Sequence, residues 1–302
     1  MRSLSSRAIE KIMKTVGAKK LYEHQSFLSR HEKENQKLVK PPIGQKSLWK
    51  KQDIGQFYYY HTKNKSKTAV VYFHGGAFVS QPNIFHWNYL KKLKLKTKSK
   101  VYFPIYPKAP AFSYKISYAF LFEFYEQFLL KNKDKKIVFM GDSAGGNIAL
   151  SFAEQLKAKN MRCPDKLVLF SPCLDLTLSN PQIDEIEKND IDPMLSKKGL
   201  TLMYRAWAKD ETLTNPILSP MFGDFADIGE ISLFVGTNEI LYPEAKQFFE
   251  KCIQLGVQIK FYEKQEQNHA FPLHPIKEAK EAFEVVCKTI LNKSKKKKLT
   301  KE

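Results

Sequence analysis

From residue 55 onward the chain alternates short apolar runs with longer stretches of helical spacing. The runs "QFYYYH", "AVVYFHG", "KVYFPIY", "KIVFMG", "KLVLFS", "ISLFVG" and "QIKFYE" are rich in Val, Ile, Phe and Tyr, residues that fit a pleated, buried surface. Helical spacing appears near residues 84–97, 113–131, 145–158, 243–255 and 277–291. Continuously apolar strands separated by helices predict a mainly parallel sheet, because such strands are buried on both faces. The predicted class is α/β, doubly wound.

Two regions depart from that rhythm. Residues 1 to about 45 carry Ile9, Ile12, Met13 and Val16 at helical spacing among Arg and Lys, then a polar stretch closed by Pro41 and Pro42. This amphipathic segment is expected to pack on the rest of the protein, with lying on a membrane surface as the alternative. Residues 176–215 hold two candidate helices and the turn "NDIDPML" but no strand. An excursion of that length between sheet strands is expected over the strand ends, where open α/β sheets bind ligands, and reads as a lid. No repeat and no Gly, Ser or Pro-rich linker divides the chain, so residues 46–292 are expected to form one domain.

Composition changes the picture little. The chain has 302 residues, 43% of them hydrophobic, which is ample for a packed core. Its 50 Lys and Arg against 31 Asp and Glu give a net charge of +19. The excess is spread along the chain, so no specific nucleic-acid partner is expected. The one dense run, "NKSKKKKLTKE", predicts a disordered basic tail at 293–302. Cys163, Cys173, Cys252 and Cys287 show neither CxxC nor metal-ligand spacing, so no disulfide frame and no metal is expected. The N-terminus has no signal-type apolar core and no window suits a membrane span, which predicts a cytoplasmic protein.

The chemistry is concentrated in "VFMGDSAGGNIAL". Gly141-Asp142-Ser143-Ala144-Gly145 follows a buried strand and opens a helix, so Ser143 is expected at the apex of a sharp turn, its hydroxyl exposed. A Gly-rich turn without chemistry is the plain alternative. Phosphate-loop and dinucleotide-loop spacings are absent. A serine hydroxyl needs a base and oxyanion donors. "VVYFHGGAF" ends another strand with His74-Gly75-Gly76-Ala77, where the N–H groups of Gly76 and Ala77 can join that of Ala144, with Gly75 giving the turn. The base is expected late in the chain. His269, in "EQNHAFP" after the strand "QIKFYE", fits, whereas His274 is expected to be structural or exposed. The acid that orients it is expected to be Glu239, after "ISLFVG". Glu244 and Asp227 are rivals expected to be solvated. The order Ser143, Glu239, His269 is that of nucleophile, acid and base in α/β-hydrolases.

At these residues the sequence resembles the hormone-sensitive-lipase-like branch of the α/β-hydrolases, with its bacterial carboxylesterases and acetyl esterases. The similar pieces are "HGGAF", "YPKAPAFSY", "GDSAGGNIAL", "SPCLDLT", "DPMLS", "GTNEIL" and "NHAF", in family order from about residue 70 to 271. The resemblance implies an eight-stranded sheet and a small helical cap made of residues 1–45 and 176–215. It also implies a cofactor-free serine carboxylesterase for small-molecule esters, with short acyl groups preferred. Ala77 replaces the usual third glycine of the loop, and Glu239 stands where much of the family has Asp. A non-catalytic small-ligand binder and a peptidase of the same fold are the alternatives, and a homodimer is left open.

Overall fold

The computed structural model describes residues 2–291, so the basic tail expected at 293–302 lies outside the described residues. Eight strands form one sheet: β1 (Trp49–Ile54), β2 (Phe57–Thr62), β3 (Thr68–Phe73), β4 (Lys100–Ile105), β5 (Lys136–Asp142), β6 (Lys166–Phe170), β7 (Glu230–Gly236) and β8 (Ile259–Lys264). Their spatial order is β1-β2-β4-β3-β5-β6-β7-β8. The β1–β2 and β2–β4 pairings at one edge are antiparallel, and the other five pairings are parallel.

The helices are α1 (Leu4–Val16), α2 (Ala18–Leu21), α3 (Gln25–Glu34), α4 (Ile84–Thr97), α5 (Tyr114–Asn132), α6 (Ala144–Ala158), α7 (Pro181–Lys188), α8 (Lys197–Ala208), α9 (Tyr242–Gln254) and α10 (Lys277–Leu291). Side chains along β3 alternate between two cores. Ala69, Val71 and Phe73 join one core with Phe124 and Phe128 of α5, Phe152 of α6 and Phe248 of α9. Val70 and Tyr72 join the other, with Leu90 of α4 and Val286 of α10. Burial on both faces is why these strands read as unbroken apolar runs.

β1 is the strand that no apolar run announced. In "WKKQDI" only Trp49 and Ile54 are buried, as suits an edge strand whose outer residues meet water. It pairs with β2 across Gly55 and Gln56, with Ile54 opposite Phe57 and Gly55 at a left-handed φ of 53°. Residues 176–215 contain α7 and α8 and no strand. Ser196 caps α8 by accepting from Gly199 N, and Asn180 caps α7 with Pro181 at its first position.

Candidate active site

β5 feeds Ser143 into α6 through a turn with φ 52° and ψ −121°, a conformation that L-residues rarely adopt. Close backbone approach demands the flanking glycines. A Cβ on Gly141 would lie 2.2 Å from Gly145 O, and one on Gly145 would lie 2.1 Å from Phe73 O. The strain is held by neighbours: Ser143 N donates to Phe170 O at 2.8 Å, and Cys173 N and Asn147 N donate to Ser143 O. The hydroxyl of Ser143 lies 3.7 Å from Cys173 Sγ.

The loop after β3 is anchored by Asp142, the residue in the variable slot of the glycine-serine motif. Its Oδ1 accepts from Tyr72 OH at 2.7 Å and from Gly75 N at 3.0 Å, and its Oδ2 lies 3.3 Å from His86 Nε2. Burial alone would raise the Asp142 pKa, but His86 and the hydrogen bonds from Tyr72 and Gly75 outweigh it and hold the carboxyl below its usual value. With the Gly75 N–H committed to Asp142, Gly75 shapes the loop, and Gly76 and Ala77 line the cavity beside Ser143. Ala144 opens α6, so its N–H lies outside the intrahelical ladder.

Gly76, Ala77 and Phe78 have φ values of 111°, 51° and 63°. A left-handed conformation costs a residue with a Cβ about 1 kcal/mol, so the loop requires support. Val79 N and Ser80 N donate to Gly76 O, and Ala109 N donates to Phe78 O. The Phe78 ring stacks on Trp207 of α8 at 4.8 Å and 12°. From the N-terminal segment, Asn35 Nδ2 donates to the carbonyls of Val79 and Ala109, and His31 Nε2 lies 3.2 Å from Ser80 Oγ.

His269 and Glu239 lie on the loops after β8 and β7, both buried, with His269 Nδ1 3.5 Å from Glu239 Oε2. That is longer than a formed hydrogen bond, and neither His269 Nδ1 nor Glu239 Oε1 has a hydrogen-bond partner among the described residues. A small side-chain rotation that closes the gap would satisfy the imidazole N–H, and such contacts commonly tighten when substrate binds. Burial opposes the charged imidazole, yet the contact with Glu239, followed by the charges of Asp192 and Asp142, raises the His269 pKa above 6.5. Among the described residues no hydrogen bond joins His269 to Ser143, but both line one cavity of about 600 Å³.

Two positioning residues had no role in the sequence reading. Ser171 donates to Glu239 Oε2 at 2.7 Å and accepts from Ala270 N at 3.0 Å, so it ties the loop after β7 to the loop after β8. Asp192, between α7 and α8, accepts from Ile240 N at 2.8 Å and from Met194 N and Leu195 N at 2.8 and 2.9 Å. Burial pushes its pKa up to about 6. Their signals were present as Ser171 in "SPCLDLT" and Asp192 in "DPMLS", motifs without an assigned side-chain task.

The rival acids divide. Asp227 is exposed. Glu244, expected in water, is instead fully buried in the first turn of α9, where its Oε2 accepts from Asp175 N at 3.3 Å. The loop carrying Asp175 folds over that turn, and burial drives the Glu244 pKa well upward. His274 lines the same cavity as Ser143, and burial with the neighbouring His269 lowers its pKa to about 4. His74 is buried beneath the loop, stacked on Tyr106 at 4.5 Å.

The far side of the cavity comes from the two regions that broke the strand-helix rhythm: Ile9, Ile12 and Met13 of α1, Tyr22, Met194 and Leu195 before α8, and Met203 on it. Flexible apolar side chains thus face a floor of Ser143, His269, Gly76 and Ala77, the composition of a small-molecule site.

A family model described as alpha/beta hydrolase fold matches residues 70–273. A candidate esterase of Staphylococcus aureus with a solved structure superposes with a TM-score of 0.84 at 31% identity, covering 90% of this chain and 93% of that one. An esterase of Acinetobacter venetianus is 32% identical over 194 residues, 64% of this chain and 63% of the relative's length. The HSL-homologue EstE7 from a metagenome library, at 21% identity and a TM-score of 0.80 over 96% of this chain and 98% of its own, shares the fold. The match spans less than two thirds of the curated relatives' own lengths. This chain belongs to the α/β-hydrolase fold family, on its hormone-sensitive-lipase-like branch.

Proposed function

We propose that the protein is a serine carboxylesterase that hydrolyses short-chain acyl esters of small molecules through an acyl-enzyme. The observation that carries this reading is the convergence, in one cavity, of the strained Ser143, the imidazole of His269 and the loop of Gly76 and Ala77. Esterases and lipases among the relatives support it. In the proposed cycle the Ser143 hydroxyl turns from Cys173 toward His269, which takes its proton as Oγ attacks the ester carbonyl. Glu239 fixes the imidazole tautomer through Nδ1 and stabilises the imidazolium. The N–H groups of Gly76, Ala77 and Ala144 receive the oxyanion, each contributing about 3 kcal/mol. His269 then gives its proton to the leaving alcohol, and water, activated by the same imidazole, releases the acid.

Ala77 supports a preference for short acyl groups, since its methyl stands beside the oxyanion donors. Four free cysteines fit a reducing, cytoplasmic setting. The test is Ser143→Ala assayed on p-nitrophenyl acetate: a loss of about 10⁴-fold or more with an unchanged Tm is expected. Hydrolysis at the wild-type rate in that variant rejects the reading. A series of p-nitrophenyl esters is expected to peak at short acyl chains, and a maximum at long chains would overturn that part alone.

A further inference from the structure

The outward side of α1 is unlike an ordinary solvated helix. Leu4, Ala8, Ile12 and Val16 recur every four residues and so share one face. That face is bare: Leu4, Ile12 and Val16 are 81%, 60% and 63% exposed, and Ala8 is exposed as well. A second stripe, Arg7, Lys11 and Lys14, runs beside it. Arg7 and Lys11 form no ion pair with a described residue, whereas the one acid of the helix, Glu10, is matched by Arg2 and Lys14. The apolar face also continues into the candidate site. Ile12 lines the cavity together with Phe85, which is itself 45% exposed, and Ile84 beside it is 48% exposed.

An apolar band bordered by unpaired cations, on a chain of net charge +19, matches the interface of an anionic bilayer, where apolar side chains enter the acyl boundary and basic ones meet headgroup phosphates. A second copy of the chain fits poorly, because pairing this face with itself would bring two sets of Arg7 and Lys11 together. We propose that α1 docks the protein on an anionic lipid surface with the cavity mouth against the lipid, so that its ester substrate is a lipid-dissolved acyl ester delivered to Ser143 from that surface. The substrate part rests on the esterase reading; the docking part does not.

Cosedimentation of the full chain with phosphatidylcholine vesicles, with and without phosphatidylglycerol, tests it. Binding about tenfold tighter or more to the anionic vesicles is expected, weakening as salt rises. Leu4→Ser combined with Val16→Ser should weaken it about tenfold, and Arg7→Glu with Lys11→Glu should abolish the anionic preference. None of the four positions lines the cavity, so hydrolysis of soluble p-nitrophenyl acetate should stay within about twofold of wild type. Hydrolysis of a short-chain diacylglycerol dispersed in phosphatidylglycerol vesicles should fall with binding. Ser143→Ala should bind vesicles like wild type while hydrolysing neither ester, so a failed esterase reading leaves the docking test readable. The docking proposal is overturned if wild type shows no anionic preference, or if both double variants bind like wild type. It is also overturned if Leu4→Ser with Val16→Ser turns a dimer into a monomer without changing vesicle binding. Unchanged diacylglycerol hydrolysis despite lost binding would overturn surface delivery.

Discussion

The loops that leave β3 and β5 differ from the helices facing them across the cavity in how firmly each part is held. Ser143, Ala77 and Phe78 sit in unfavourable backbone conformations, and a buried carboxylate, several backbone hydrogen bonds and close glycine contacts fix them there. Across from them, Ile9, Ile12, Met13, Met194 and Met203 touch the cavity through unbranched or aliphatic side chains. One side stores strain in a single geometry; the other adapts. The contrast assigns chemistry to the first side and choice of substrate to the second, because preorganised dipoles lose their value if they move, whereas Met-rich surfaces tolerate varied shapes.

That contrast breaks first at Asp142. Asp142→Ala leaves Tyr72 OH, Gly75 N–H and His86 without their buried partner, so a loss of about 3 kcal/mol or more in stability is expected. On the proposed mechanism, relaxing the loop after β3 should cost about 100-fold in kcat. Asp142→Asn, which keeps an acceptor for Tyr72 and Gly75, should recover most of the stability. Denaturant melts with esterase kinetics decide it, and an alanine variant with wild-type kcat would show that the loop holds itself.

Asp192 tests whether the covering insertion also serves the floor. Three backbone N–H groups converge on this carboxylate, and an amide cannot satisfy all of them, so Asp192→Asn should lower kcat/KM by about tenfold through a loosened Glu239 loop. The pH profile carries a second readout. In the proposed cycle His269 must be neutral to act as base, and its raised pKa keeps it protonated above pH 6.5, so activity should rise with pH through a midpoint above that value. Asp192 contributes to that raise, so removing its charge should shift the acidic limb of kcat/KM to lower pH. An unmoved limb would confine Asp192 to a purely structural task. The smallest effect belongs to the adaptable side: Met13→Ala should change KM for longer alcohol groups by a fewfold, of order 1 kcal/mol, with kcat for p-nitrophenyl acetate unchanged. A comparable loss in kcat for the small ester would erase the division between the two sides.

Much of the fold was legible because burial on both faces of a sheet leaves a nearly unbroken apolar run, as in β3 to β7, while β2 and β8 stood out by shorter runs rich in Phe and Tyr. β1 lacks it because an edge strand needs only Trp49 and Ile54 inside. Ser143, Glu239 and His269 were legible as strand-end residues in a known chain order, and the folded chain brings them to one end of the sheet. Asp142, Ser171 and Asp192 were not, because the partners that tie them to other loops lie 48 to 99 positions away, and the local bonds from Met194 N and Leu195 N to Asp192 do not reveal its reach to Ile240. Glu244 shows the converse: expected in water, it is buried with the Asp175 loop against it, a contact between residues 69 positions apart.

The face-to-face stacking of Phe78 on Trp207, with Tyr204 set edge-on beside it, joins the strained loop to the insertion through aromatic rings. Whatever reshapes residues 176–215, by recombination or by design, must therefore retain a flat aromatic at position 207, or the new specificity would arrive with a misaligned anion cradle.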